Sequence, residues 1–442
     1  MRTLNFFLIF TVIGITSTFA QGKTYGLKDV YPDFKFGNIL NGNTANNSTI
    51  KNLVLREFNS ITPENELKPD FTMVQSGSTD DNIKVALGTG AKAILKFCQD
   101  NNIGVRGHAL VWHGQTPAWF FRENFSNSGA LVDKETMNKR MESYIKNMFN
   151  IIKTTYPTLN LYAYDVVNEA FENWGGGLRP ANESTWTKIY GDDEFIINAF
   201  TYARKYAPEG CKLFYNDYNE YESNKCNSIY NLAMKLKKDN LIDGIGMQAH
   251  LALGFPSASS FGSALKKFAS TGLEVQITEI DVTMWANEAE AAGKTPTVSQ
   301  YEEQGRKYRD VMKEVLKYKN QVTAFVVWGI RDDLSWRKWG FPVLFDKNGN
   351  KKPAYDEIFA LGTLPSSNPE IQSGNSLKAW ANNNQLQVTG VDVGKMWRVY
   401  TTTGVLVHQG ISLSRDVVHN VFTIQSGVYI VWTENGTVKV IF

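Results

Sequence analysis

The sequence predicts an α/β fold, a (β/α)8 TIM barrel followed by a small all-β domain. From about residue 25 to residue 361, short apolar runs alternate with longer amphipathic runs, and eight such strand–helix units suit a barrel of parallel strands. No glycine-rich phosphate turn follows the first strand, which argues against an open doubly wound sheet. A stretch rich in Gly, Ser, Pro and Asn then precedes short alternating runs, which are typical of a small β domain.

Eight apolar runs are the predicted barrel strands. In chain order they read FKFGNIL, NSITPEN, GVRGHALVW, LYAYDVVNE, KLFYNDYN, GIGMQAH, VQITEIDV and AFVVWGI. Between them, a helix is predicted from Lys134 to Thr155, and another over YEEQGRKYRDVMKEVLKYK, where apolar side chains recur at helical spacing. These units define the barrel domain as residues 25–362, followed by a linker at 363–376 and a β domain at 377–442.

The N-terminus has the pattern of an export signal. Arg2 precedes an apolar stretch from Leu4 to Ile15, and small residues around Ala20 have the spacing of a cleavage site. The sequence therefore predicts a signal peptide over residues 1–20 and a secreted or cell-surface protein. Elsewhere the sequence lacks a run of about 18 uninterrupted apolar residues, so we expect no stable membrane span.

Composition narrows the class of partner. The 442 residues carry a formal net charge of +2 and only 20% charged residues, which does not suit nucleic acid or an anionic membrane surface. Aromatic residues make up 13% of the chain, including 11 Trp, enough to fill a large core or to line a groove for sugar rings. The cysteines Cys98, Cys211 and Cys226 are expected to be free thiols, because a strand should hold the last two apart.

Polar residues gather at the predicted carboxyl ends of the strands, where a barrel of this kind builds its active site. Two of them, Glu169 and Glu279, each follow an apolar run, and a pair of carboxyl groups is the minimum equipment for glycoside hydrolysis. No HExxH motif or cysteine pair is present, so we expect neither a metal nor another cofactor. Each residue alone has an ordinary structural explanation, and only the joint pattern indicates chemistry.

Seven motifs together resemble glycoside hydrolase family 10 endo-β-1,4-xylanases: TPENELKPD, GHALVWHGQTPAW, DVVNEA, YNDYN, GMQAH, ITEID and WGIRDDLSWR. The resemblance covers about residues 25 to 362 and implies that Glu169 is the acid/base and Glu279 the nucleophile of a retaining enzyme. It also implies a xylan or xylo-oligosaccharide substrate. The predicted substrate-binding residues are Glu64, Asn65, Lys68, His108, Trp112, Gln115, Asn168, Tyr218, Gln248, His250, Trp328 and Trp336.

The implied roles set electrostatic requirements. Glu169 must begin protonated, which calls for an apolar setting or a nearby anion, whereas Glu279 must stay ionised and needs hydrogen-bond donors. His250 is the expected donor to Glu279, and Asp281 is expected to hold that histidine from behind. Asn168 is expected to bind the sugar 2-hydroxyl.

Three positions depart from the family pattern: Tyr164 and Pro69 where tryptophan is usual, and Gly114 where a small hydroxyl residue is usual. None removes a catalytic group, but they affect the expected shape of the outer sugar sites. The alternatives are a retaining β-1,4-glucanase and, of a different class, a non-catalytic polysaccharide-binding protein. A pure binder would need neither Glu169 nor Glu279.

The C-terminal segments MWRVYTTTGVLVHQG and SGVYIVWTENGTVKVIF resemble the sorting domains of type IX secretion. The resemblance implies a partner in the secretion machinery and removal of the domain after export. A carbohydrate-binding module is the rival interpretation, with Trp380, Trp397 or Trp432 as a stacking face. A third interpretation is an inert domain in which these tryptophans form the core.

Overall fold

A computed structural model describes residues 25–363, 377–382, 385–402, 404–413, 419–421, 427–433 and 436–441. The predicted signal peptide and nearly all of the predicted linker lie outside the described residues. The chain divides into two compact units, residues 1–363 and 364–442, which are treated separately.

The first unit is a closed barrel of eight parallel strands, which confirms the predicted fold class. The strands are β1 (Lys35–Leu40), β2 (Ser60–Pro63), β3 (Gly104–Gly107), β4 (Leu161–Asn168), β5 (Lys212–Asp217), β6 (Gly244–Met247), β7 (Glu274–Thr283) and β8 (Val322–Val327). The closure is direct, because β7 pairs in parallel with both β6 and β8, and β8 pairs with β1.

Two predicted strands are each divided in two. The run GVRGHALVW forms β3 and then a separate short strand, Val111–Trp112, which pairs with the end of β4. The run GIGMQAH forms β6 and then His250–Ala252, which pairs with Asp281–Thr283 of β7. Both interruptions lie at the carboxyl end of the barrel, so the chain changes direction where the polar residues begin.

The helical layer follows the predicted periodicity. The helix Lys134–Thr155 has its predicted bounds because Asp133 caps it, accepting a 2.8 Å hydrogen bond from the Thr136 amide. The last long helix begins three residues earlier than predicted, at Val298, because Thr297 and Gln300 form a capping box there. The remaining α-helices are Leu27–Val30, Ser48–Glu57, Pro69–Thr72, Thr89–Asp100, Thr185–Tyr190, Glu194–Tyr206, Ser223–Lys238, Ala258–Ala269, Glu288–Ala291 and Pro353–Leu361, with 3-10 turns at Thr44–Asn46, Ala118–Phe121, Glu123–Phe125, Asp332–Leu334 and Lys338–Gly340.

A polar cluster is buried inside the barrel beneath the strand ends. Arg106 donates to both carboxylate oxygens of Asp165, and its Nε donates at 2.8 Å to Gln276 Oε1. Asp165 also lies 2.8 Å from Nδ1 of His108. Because separating a buried ion pair would leave two uncompensated charges, Arg106 and Asp165 hold each other in these positions. The cluster thereby fixes the His108 ring from below.

An antiparallel hairpin, Met73–Thr79 with Asn82–Val85, was not predicted. Its sequence is polar and most of its first strand is exposed or partly exposed, so it lacks the apolar alternation that identifies a strand. The three cysteines are free and buried, with Cys98 in the helix Thr89–Asp100 and Cys226 in the helix Ser223–Lys238.

The described part of the second unit consists of antiparallel strands. Leu386, Val399 and Val431 belong to its small apolar core, in which Trp397 is also buried, whereas Trp380 is 36% exposed. One sheet contains Lys378–Asn382, Gln385–Thr389 and His419–Val421, and the other contains Leu406–Ile411, Met396–Thr401, Val428–Thr433 and Gly436–Ile441. In the portion of the chain that the structure describes, the helices are too short or too polar to cross a membrane.

Candidate active site

A cavity of about 590 Å³ opens at the carboxyl ends of the barrel strands. It brings together most of the residues singled out from the sequence. Two of them, Asn168 and Asp281, are buried and do not line it. Two further lining residues, Asn219 and Arg337, lie in the motifs YNDYN and WGIRDDLSWR but were not among the predicted substrate-binding residues. The lining consists of Glu64, Asn65, Lys68, His108, Trp112, Gln115, Glu169, Tyr218, Asn219, Gln248, His250, Glu279, Trp328, Trp336 and Arg337.

Glu169 follows the last residue of β4 and has a left-handed backbone, with φ of +54°. Its amide donates at 2.9 Å to the Asn216 carbonyl, which holds this strained turn in place. Oε1 accepts a hydrogen bond from Gln248 and Oε2 accepts one from the Trp112 indole, both 2.9 Å long. Burial nevertheless raises the pKa of Glu169, helped by the negative charges of Asp217 and Glu279.

The backbone after Glu169 is clamped as well. The Ala170 amide donates at 3.1 Å to the Tyr215 hydroxyl, which in turn donates at 2.5 Å to Asp217. Arg179 Nε donates at 3.2 Å to the Glu169 carbonyl oxygen. Side chains from β5 and from the loop after β4 therefore fix the peptide group that follows Glu169, one at its N–H and the other at its carbonyl oxygen.

Glu279 lies within β7, not at its end as the sequence suggested, because the pairing with His250–Ala252 extends the strand to Thr283. Its Oε1 accepts a 2.8 Å hydrogen bond from Asn216, and its Oε2 lies 3.3 Å from His250 Nε2. Burial alone would raise the pKa of this carboxyl. The charges of His108 and His250, together with these hydrogen bonds, outweigh burial and lower the pKa to about 2.

His250 connects Glu279 to a second carboxylate. Its Nδ1 lies 3.2 Å from Asp281 Oδ2. Burial lowers the pKa of His250, but Asp281 and Glu279 outweigh it and raise the pKa to about 10. Asp281 also accepts hydrogen bonds from Arg337 at 2.6 Å and from the Trp336 indole at 3.1 Å. A buried carboxylate thus orients one histidine, one arginine and one tryptophan at the cavity wall.

Another part of the cavity wall is organised around Lys68. Its ammonium donates to Asn65 Oδ1 at 2.9 Å and to Gln115 Oε1 at 2.8 Å, and it lies 5.0 Å from the centre of the Trp112 ring. Burial lowers the pKa of Lys68, although Glu279 and Glu64 act against the shift. Burial likewise raises the pKa of Glu64.

Asn168 and Asn216 link the two carboxyl groups. The Asn216 amide donates at 2.9 Å to Asn168 Oδ1, which also accepts from Gln248 at 3.3 Å. Among the described residues, Nδ2 of Asn168 has no hydrogen-bond partner although it is buried. An unpartnered donor beside two carboxyl groups is suited to a hydroxyl group of a bound molecule.

Tyr164, one of the departures from the family pattern, is fully buried, and its ring packs edge-on against Phe149. It fills space left by Gly107, where a Cβ would lie 2.3 Å from the Tyr164 ring. Gly114 lies against the Trp112 ring, and Pro69 begins the short helix Pro69–Thr72. The tyrosine therefore packs in the core and does not contact the cavity.

The described residues include no cluster of three or more His, Cys, Asp or Glu side chains arranged to hold a metal ion. A barrel with two buried carboxyl groups, one with a raised and one with a lowered pKa, has the equipment of a glycoside hydrolase. The chain belongs to glycosyl hydrolase family 10, whose family model matches residues 26–361.

Two curated relatives are named as endo-1,4-beta-xylanases. The chain is 48% identical over 347 residues to the bifunctional endo-1,4-beta-xylanase XylA of Ruminococcus flavefaciens, covering 77% of this chain and 35% of that protein. It is 47% identical over 361 residues to endo-1,4-beta-xylanase Y of Acetivibrio thermocellus, covering 77% and 32%. The chain therefore spans about a third of the length of these relatives.

Among solved structures, the chain is similar to the CBM22-1–GH10 modules of endo-1,4-beta-D-xylanase 10B from Clostridium thermocellum, complexed with xylohexaose. That likeness has 46% sequence identity and a TM-score of 0.71, and it covers 77% of this chain and 68% of the other.

Proposed function

We propose that this protein is a retaining endo-1,4-β-xylanase that hydrolyses internal β-1,4 bonds of xylan through a covalent glycosyl-enzyme intermediate. The observation that carries the proposal is the opposite electrostatic setting of the two carboxyl groups. Burial favours the protonated form of Glu169, while His250, His108 and Asn216 favour the ionised form of Glu279. Family membership and the xylanase names of the relatives support the same substrate.

In the first step, Glu279 attacks the anomeric carbon and Glu169 gives its proton to the leaving glycosidic oxygen. The carbon–oxygen bond to the leaving sugar breaks as the ester bond to Glu279 forms. Esterification removes the negative charge of Glu279, which had helped to raise the pKa of Glu169. The pKa of Glu169 therefore falls, and the carboxylate takes a proton from the water that attacks the intermediate.

Asn168 is proposed to donate from its unpartnered Nδ2 to the 2-hydroxyl of the sugar at the cleaved bond. Such a contact strengthens as positive charge develops in the transition state. Its Oδ1 is already held by Asn216 and Gln248, which orients the amide group before substrate binds.

Product analysis with anomer detection by NMR tests the proposal. We expect xylan to yield xylo-oligosaccharides whose first-formed reducing ends are β anomers. A first-formed α anomer would contradict retention. Cellulose as a parallel substrate tests the glucanase alternative. Trp336, which is 57% exposed at the cavity wall, is proposed to crowd the space that a C5 hydroxymethyl group needs.

Export is proposed from the N-terminal pattern, with the C-terminal unit as a sorting domain. Deleting the residues after Leu361 should abolish secretion while leaving xylan cleavage by the isolated barrel intact. Weaker binding to insoluble xylan with normal secretion would instead support a carbohydrate-binding module. Trp380→Ala is the sharper test of that rival, because Trp380 is partly exposed whereas Trp397 is buried in the core.

A further inference from the structure

A second cavity, of about 440 Å³, lies at the same end of the barrel. Its walls come from the loops after β1 and β2 and from the start of the helix Thr89–Asp100. We call it the side groove; its lining consists of Asn41, Gly42, Asn43, Glu66, Phe71, Gly88, Thr89, Gly90 and Ala91. The mechanism proposed above uses none of these residues.

The walls of the side groove are held in place without a ligand. Glu66 joins both loops, because its Oε1 accepts from the Gly42 amide at 2.6 Å and its Oε2 accepts from the Asn65 amide at 3.1 Å. The loops approach so closely that a Cβ on Gly42 would lie 3.1 Å from the Gly90 Cα. These loops are therefore already ordered before a ligand binds, which lowers the entropic cost of binding.

Phe71 presents an aromatic face at the side groove. The side chain is 51% exposed, and burial in the core does not account for a phenylalanine here. A flat aromatic surface beside hydrogen-bonding groups suits a sugar ring, which has apolar faces and a polar edge. The Glu66 carboxylate and the Asn43 amide supply groups for the polar edge.

Hydrogen bonds join the side groove to the catalytic cavity, and one of them is the bond from the Asn65 amide to Glu66. Asn41 Nδ2 donates a 2.9 Å hydrogen bond to Glu64 Oε2. Asn41 lines the side groove and Glu64 lines the catalytic cavity. The two cavities are therefore adjacent at the carboxyl end of the barrel.

We propose that the side groove is a distal subsite that binds a further neutral sugar unit of the polysaccharide, with its ring against Phe71. Of the described lining residues, Glu66 alone carries a formal charge, and its carboxylate would repel a uronate. The bound sugar is therefore neutral. The inference rests on the proposed function, since it assumes a β-1,4-linked sugar chain in the catalytic cavity.

The test compares substrates of increasing length. An aryl β-xylobioside reports the chemistry alone, whereas xylohexaose also reaches the side groove. Phe71→Ala should leave kcat/KM on the aryl xylobioside within about two-fold and lower it about five-fold on xylohexaose, the range expected for one lost stacking contact. Phe71→Tyr should retain activity on both substrates.

A second variant fills the side groove. A Cβ added at Gly88 would have no neighbouring heavy atom within 4 Å, so a side chain can start there, and Gly88→Leu should obstruct the side groove and give the same length-dependent loss. Met234→Ala, on the outer face of the helix Ser223–Lys238, is the matched control and should change neither substrate.

Equal kcat/KM values for Phe71→Ala and wild type at every length would overturn the distal subsite but leave the proposed function standing. An equal loss on both substrates would also overturn it, because the effect would then lie in the chemistry. A wild-type protein that cleaves neither substrate would refute the proposed function and the distal subsite together.

Discussion

The side-chain amide of Asn216 donates a 2.8 Å hydrogen bond to Oε1 of Glu279. The orientation of that amide is fixed, because its Oδ1 accepts a 2.6 Å hydrogen bond from the Thr278 hydroxyl. The same Nδ2 donates to Asn168, the residue immediately before Glu169. One side chain of β5 thus ties the proposed nucleophile to the strand that carries the proposed acid/base.

Replacing Glu279 by alanine should lower xylan cleavage by at least about 10⁴-fold, because the attacking carboxylate is lost. Added azide should restore part of the rate by entering the space left by the carboxylate, and its product should be the inverted α-glycosyl azide. NMR of the product checks the configuration. Glu302→Ala, on the exposed face of the helix Val298–Leu316, is the control. Full activity in Glu279→Ala would contradict its role.

Gln248→Leu should move the alkaline limb of the kcat/KM–pH profile to higher pH. The Gln248 amide donates to Glu169 and so stabilises its ionised form, which lowers the pKa of Glu169. Without that donor the pKa rises further, and the acid stays protonated to higher pH.

Gln115→Leu is the matched control, since Gln115 contacts Lys68 and Asn65 but not Glu169. Its activity should fall without a shift of the alkaline limb. An unshifted limb in Gln248→Leu would mean that another group, not Glu169, sets it.

Tyr215→Phe should lower kcat by about ten-fold with little change in KM, because the clamp on the peptide after Glu169 is lost. The Ala170 amide would be left without its partner, at a cost of about 1–3 kcal/mol in folding free energy. Steady-state kinetics and urea unfolding measure the two effects.

Tyr308→Phe separates the two effects, since its buried hydroxyl donates at 2.7 Å to the Pro342 carbonyl, away from Glu169. That variant should lose stability without losing kcat. If Tyr215→Phe behaved in the same way, the hydroxyl would be structural only.

Glu220 should make stability depend on pH. Burial raises the pKa of this carboxyl from an ordinary 4.5 to about 7. The folded state then holds the proton more tightly, so the contribution of Glu220 is complete below pH 4.5 and is lost as the pH rises toward 7. The full loss is roughly 3 kcal/mol.

Glu220→Gln removes this titration, so the difference in unfolding free energy between wild type and variant should change between pH 4.5 and about 7. Urea unfolding at both values measures it, with Glu302→Gln as an exposed control. A difference that is constant with pH would show that Glu220 does not titrate between the folded and unfolded states.

Local patterns predicted the barrel because each strand is a short apolar run and each helix has a regular apolar stripe. The predicted bounds of Lys134–Thr155 agree with the structure, in which Asp133 caps the first turn. The polar hairpin beginning at Met73 has no such pattern, and the short strand His250–Ala252 depends on a partner in β7.

The residues of the catalytic cavity also differ in whether the sequence alone could predict them. Residues at strand ends could be selected from the sequence, and most of them line the cavity. Arg337 and Asn219 lie within the motifs WGIRDDLSWR and YNDYN, but the local pattern does not show that their loops return to the cavity. Arg106 and Asp165 lie inside apolar runs, and the contact between Arg106 and Gln276 joins positions 170 residues apart. Such pairs become visible only when the barrel closes.

The left-handed backbone of Glu169 has a consequence for protein engineering. Glycine adopts such a φ freely, whereas a residue with a Cβ gives up about 1–2 kcal/mol there. Glu169→Gly would relieve this strain, but it would also remove the proposed proton donor and leave the Gln248 amide and the Trp112 indole without their acceptor. Glycine, the usual choice at a positive φ, is therefore the wrong substitution for a heat-resistant variant at this position.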